Sequence, residues 1–180
     1  SVSACMLNRA SDLEMHMEHK NIALEVLRKL LEGEIKSRSK FNVVEGRTLM
    51  EMLDSSITRY HNKIITAAEV IDELIKLSKN IVEKDQEAEG MGLTTYEYAF
   101  YSAVADNESA KELMGKDKLR KLAVVLTETI RKNASIDWTI KENVRAKMKV
   151  AVKRLLRKYG YPPDMQQLAT ETVLKQAEMI

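Results

Sequence analysis

Apolar residues return at intervals of three and four along nearly the whole chain, and the strict alternation of a half-buried strand is missing. Ile22, Val26, Leu27, Leu30, Leu31 and Ile35 define one helical stripe. Val70, Ile71, Leu74, Leu77, Ser78 and Ile81 define another, on a helix predicted to run to about residue 86. Helix starts are marked by the Ser/Thr-x-x-Glu box, in which the two side chains satisfy free amides of the first turn. Ser11…Glu14, Thr48…Glu51, Thr66…Glu69, Thr94…Glu97 and Thr139…Glu142 all fit it, and Thr66 also suits the interior of a continuous helix. Asn107 is the expected cap of a short helix that Gly115 breaks or kinks. "EGMG" (89–92), "NASID" (133–137) and "YGYPP" (159–163) read as connections. The pattern predicts an all-α fold. We expect a single helical domain of about seven long antiparallel helices with short connections over residues 20–180, and a linker or residual connection from a preceding domain over 1–19.

One predicted helix stands apart by its polar face. Thr139 should cap a helix ending near Lys158, with Val144, Met148, Ala151, Val152, Leu155 and Tyr159 gathered in its buried sector. Lys141, Arg145, Lys149, Lys153 and Arg157 wind round the opposite side, and Lys147, Arg154 and Lys158 fill the rest of the polar sector. No acid follows Glu142 to neutralise them. Gly160 can take the left-handed conformation that ends a helix, and Pro162 and Pro163 prevent its continuation. A face selected for solubility alone usually interleaves signs and gains i,i+4 pairs. This one does neither, so those eight residues are the candidate contacts with DNA or a partner. The face carries no aromatics, which disfavours single-strand binding by base stacking. Duplex phosphates or an acidic protein surface fit better.

Total charge hides this. The 180 residues carry 29 Lys and Arg against 27 Asp and Glu, yet Lys116 to Lys158 holds fourteen basic residues and four acidic ones. The stretch from Glu69 to Glu112 is the acidic counterpart, with eleven acids against four lysines. Such a split implies two differently charged surfaces, which could meet each other, a partner or nucleic acid. The apolar fraction of 44% supports a packed core. The single cysteine, Cys5, allows neither an internal disulfide nor a cysteine-built zinc site. No apolar run approaches the roughly 18 residues of a membrane span. With no charged-then-apolar leader in view, the expectation is a cytoplasmic piece of a longer protein that makes no membrane contact.

Catalytic patterns fail one after another. Gly115-Lys116 lacks the following Ser or Thr and the upstream glycine of a phosphate-binding loop. Asp72-Glu73 falls on an amphipathic helix with no strand before it. His16 and His19 share an i,i+3 spacing but have no third ligand, and His61 reads as a structural hydrogen bonder. Glu34-x-Lys36 matches a nuclease triplet in letters alone, since such triplets lie on strands. Trp138, Tyr98, Phe100 and Tyr101 read as core aromatics. The expectation is no catalytic, cofactor-binding or metal-binding residue in this stretch, and no small-molecule substrate.

Three segments together carry a resemblance: "LMEMLDSSITRYHNKIITAAEVIDELIKLSK" (49–79), "GLTTYEYAFYSAVADNESA" (92–110) and "IRKNASIDWTIKENVRAKMKVAVKRLLRKYGYPPD" (130–164). With the closing "QLATETVLKQAEMI", their succession resembles the C-terminal helical region of the restriction (R) subunit of type I restriction–modification enzymes. The likeness runs from about residue 20 to the end. It implies a parent subunit that is an ATP-dependent DNA translocase and endonuclease, with nuclease and motor domains upstream that use ATP and Mg. It implies for this stretch a non-catalytic helical domain that docks on the methyltransferase (modification) subunit, with duplex DNA as a further contact. The alternative is a freestanding, sequence-independent duplex-DNA-binding domain. Target choice in this family belongs to a separate specificity subunit.

Overall fold

The computed structural model describes residues 20–133 and 142–179. Among them the chain is all-α, with eight α-helices, one short 3-10 turn and no strand. The helices are α1 (Lys20–Ser39), α2 (Val43–His61), α3 (Ala67–Gly90), α4 (Thr95–Ala105), α5 (Glu108–Met114), α6 (Lys116–Asn133), α7 (Glu142–Lys158) and α8 (Gln166–Ala177), with the 3-10 turn Pro163–Met165 before the last. The described residues gather into two compact units: Lys20–Ser39 with Gly46–Gly90, and Lys40–Glu45 with the described residues from Met91 onward.

In the first unit α1 packs along α3. Its core joins Ala23, Leu24, Leu27, Leu31 and Ile35 to Leu49 and Leu53 of α2 and to Val70, Ile71, Leu74, Ile75, Leu77 and Ile81 of α3. The predicted α3 stripe is therefore buried throughout, Ser78 included, whose hydroxyl bonds the Ile75 carbonyl. The α1 stripe is rotated from expectation, because Ile22 and Val26 are 64% and 41% exposed. Arg38 completes the buried side instead. Its guanidinium grips both carboxylate oxygens of Asp85 at 2.8 and 2.6 Å and Oε1 of Glu34 at 3.1 Å, so burial leaves no uncompensated charge. Thr66 and Glu69 form the reciprocal box at the start of α3, so the chain does break before it. Thr48 lies inside α2 and starts nothing. The true cap there is Asn42, whose Oδ1 accepts from the Glu45 amide at 3.0 Å.

The second unit is built round α4, apolar on nearly every side, with Tyr98, Ala99, Phe100, Tyr101, Ala103, Val104 and Ala105 all buried. α6 and α8 pack against it, and α7 packs against α6 and α8. Thr94 and Glu97 make the expected reciprocal box, and Asn107 caps α5. Gly115, at φ 78°, ends α5 and lets α6 begin at the next residue, which is why eight helices stand where about seven were expected. Gly160, at φ 77°, ends α7 as anticipated, and the Tyr161 amide returns to the Leu156 carbonyl at 2.9 Å. Tyr161 itself is 2% exposed and donates to the Val104 carbonyl at 2.7 Å. Burial, with a smaller contribution from Asp106, pushes its phenol up to about 12.

A polar clamp ties the segment before α2 into this unit. Buried Gln176 of α8 accepts from the Val43 amide at 2.9 Å and donates to the Phe41 carbonyl at 2.8 Å. Asn42 donates to Ser102 of α4 at 3.1 Å.

Candidate partner and nucleic-acid interface

α7 sits on the second unit by Met148, Val152 and Leu156, which are all but fully buried and succeed one another every fourth residue. The expected seam holds Met148 and Val152, both buried, but its other four members, Val144, Ala151, Leu155 and Tyr159, are half-buried. Leu155 and Leu156 compete for the same place, and the packing against α6 and α8 selects Leu156. The helix is thus turned by about 50° from its predicted seating, at 100° per residue.

That turn sorts the basic residues into two sets. Lys147, Arg154, Arg157 and Lys158 occupy the outermost sector and are exposed, with Val150, itself 56% exposed, among them. Lys153 is half-buried at its margin. Arg145 and Lys149 face sideways into a groove of about 480 Å³ beside α8, lined also by Glu142, Glu171 and Lys175. Arg145 bonds Glu178 at 3.3 Å, and this is the ion pair that α7 makes among the described residues. The acidic stretch 69–112 supplies no partner to α7 among them. Lys141 and Thr139, the expected cap, lie outside the described residues.

A cation not singled out from the sequence joins this surface. A Cβ built on Gly160 would stand 3.5 Å from the Lys118 Nζ, so the first turn of α6 brings Lys118 beside the end of α7. The only sequence signal for it was the basic run opening at Lys116.

The discarded motifs stay dispersed where they are described. Asp72 pairs with Lys76 at 2.9 Å on α3, Glu73 with Arg59 at 2.7 Å, and Glu34 with Arg38 on α1. His61 is exposed at the end of α2, its ring tilted against Tyr60. Among the described residues no three His, Cys, Asp or Glu side chains gather as a metal site, and no helix is long and apolar enough to cross a membrane. Cys5, Ser11, His16, His19 and Trp138 lie outside the described residues. A further groove of about 520 Å³ lies between α2 and α3; its two cations are paired, Arg59 with Glu73 and Lys76 with Asp72, and the buried Oδ1 of Asn80 on its wall has no hydrogen-bond partner among the described residues.

Comparison with known proteins gives consistent results. Residues 9–180 match the family described as type I restriction enzyme HindI endonuclease subunit-like, C-terminal. The chain is 43% identical, over 161 residues, to the type I restriction enzyme HindI endonuclease subunit of Haemophilus influenzae, covering 89% of this chain and 15% of that protein. It is 31% identical over 145 residues to a protein of Methanocaldococcus jannaschii whose name assigns it to the endonuclease subunit of type I restriction enzyme MjaIXP, covering 80% of this chain and 14% of that one. The chain therefore spans about one seventh of the length of these relatives. No solved structure gives a significant match.

Proposed function

The chain belongs to the type I restriction enzyme HindI endonuclease subunit-like family, in its C-terminal part, and on that premise we propose that it attaches a longer restriction subunit to its methyltransferase core. In this reading the stretch is a non-catalytic helical assembly region of a cytoplasmic complex. ATP-driven translocation and DNA cleavage, with their ATP and Mg, belong to the remaining six sevenths of the parent. The contact surface is the outward side of α7, facing the methyltransferase, the DNA it holds, or both.

The observation that carries the reading is the availability of that surface. Six of the seven described basic residues of α7 make no ion pair with the chain's own described carboxylates, and the seventh, Arg145, is held by Glu178. Unpaired like charges on one face repel each other. A partner of opposite sign relieves that repulsion and steers its own approach.

The test is a pull-down between this chain and the modification complex, with and without duplex DNA. Changing Lys147, Lys153, Arg154 and Arg157 together to Glu should leave the helical circular-dichroism signal in place and abolish the association. A folded wild-type chain that captures no modification subunit in either condition refutes the proposal.

A further inference from the structure

Resting on the reading of α7 as the contact surface, we infer that its outer sector, joined by Lys118 of α6, binds the phosphate backbone of duplex DNA without reading bases. Lys147 to Lys158 spans eleven helical rises, about 16 Å, which matches about five base pairs of duplex. The sector presents Lys147, Lys153, Arg154, Arg157 and Lys158, none ion-paired among the described residues, and Val150 as the one apolar side chain. Protein interfaces are built otherwise. Their cores deplete lysine and concentrate Trp, Tyr, Phe, Met and Arg; this sector has no aromatic or Met side chain, and its Arg154 and Arg157 stand beside three lysines. Phosphates need only many well-spread cations. A face without aromatics has no platform on which to stack single-stranded bases.

Two features sharpen the assignment beyond charge. Lys118 comes from a different helix and arrives at the Gly160 turn, two residues beyond Lys158, so it extends the positive surface past the helix end. Arg145 and Lys149 belong to the same basic run, yet they face a groove in which Lys175 stands with Glu142 and Glu171, and Arg145 is engaged with Glu178, so three cations meet three carboxylates. Mixed signs there repel a phosphate as much as they attract it. The seating of α7 therefore divides a uniform-looking stretch into cations that touch DNA and cations that do not.

The experiment measures fluorescence anisotropy of the whole 180-residue chain with two 30-base-pair duplexes of unrelated sequence, from 50 to 200 mM NaCl. Both duplexes should bind alike, and log K should fall against log salt with a slope of magnitude about 3 to 5. Lys118→Ala should reduce that slope by about 1, so the loss of affinity across this salt range becomes about 4-fold smaller, and Lys118→Arg should restore it. Replacing Lys147, Arg154 and Lys158 by Ala together should reduce the slope by about 3. Arg145→Ala with Lys149→Ala should leave it unchanged. Circular dichroism checks that each variant is folded. No complex at 50 mM salt, a slope indifferent to Lys118, or tighter binding to single strands each overturns the inference. Capture of the modification subunits in DNA-free buffer, lost in the triple variant while no DNA complex forms, also overturns it and leaves the docking reading standing. DNA binding with the expected slope, without any capture of those subunits, does the reverse.

Discussion

Leu156→Ala and Leu155→Ala form a matched pair whose difference reports how α7 is seated. Leu156 is fully buried, and truncation removes three carbons, worth about 0.8 kcal/mol each in lost transfer energy. A residual cavity of roughly 50 Å³ at about 24 cal/mol per Å³ adds about 1 kcal/mol, for a total near 3.5 kcal/mol. Leu155 is half-buried, so the same truncation removes less contact and leaves a gap that solvent can enter. About 1 kcal/mol is the expected loss there. Urea unfolding followed at 222 nm should show the contrast: with a slope of about 2 kcal/mol per molar, the midpoint drops by about 1.7 M for Leu156 and about 0.5 M for Leu155. An equal or larger loss at Leu155 refutes the reasoning. It would restore the predicted seam and turn Lys147 and Lys158 toward the packed side, and the sorting of basic residues would collapse with it.

Three further outcomes follow from other parts of the fold. Gly46→Ala should destabilise by about 1–3 kcal/mol, because the added Cβ would stand 2.8 Å from the Ser39 Cα, whereas Gly33→Ala meets nothing within 4 Å on exposed helix and should stabilise by about 0.5–1 kcal/mol; thermal melts compare the two. Gln176→Leu should cost about 1–3 kcal/mol by stranding the Val43 amide and the Phe41 carbonyl, and hydrogen exchange should find the Val43 amide less protected. The Tyr161 phenol ionises near 10 when unfolded and about 12 when folded, so its contribution to stability is complete below pH 10 and lost as pH rises from 10 through 12; Tyr161→Phe should flatten that part of the stability–pH curve.

What could be read from the chain beforehand was set by how local the determining physics is. The α3 stripe, the boxes at Thr66 and Thr94, the Asn107 cap and the Gly160 stop all depend on residues within one or two turns, and the structure has each of them. The misjudged faces lie where apolar residues exceed one stripe. Ile22 and Val26 on α1, and Leu155 on α7, kept the periodic pattern while neighbouring helices chose another side to bury. Thr48…Glu51 has the letters of a cap, but Asn42 had already started the helix six residues earlier. Arg38 was invisible as a core residue because its partner Asp85 lies 47 positions away. For the candidate surface, the one-signed run was plain from sequence. Its division into outward and groove-facing cations, and the approach of Lys118, required the packing of α6, α7 and α8.

The Gln176 clamp also bears on how the protein is made. Val43 leaves the ribosome 133 positions ahead of the glutamine that receives its amide. At a synthesis rate of 5–20 residues per second, that is a wait of roughly 7–27 s. During it Phe41 and Val43 lack their Gln176 partner, and the segment has at most the Asn42–Ser102 bond to hold it, although α1, the body of α2 and α3 are already complete and free to condense. The first unit can therefore be finished while the second is still being written, and nascent chains halted before residue 176 should leave Phe41–Val43 open to protease.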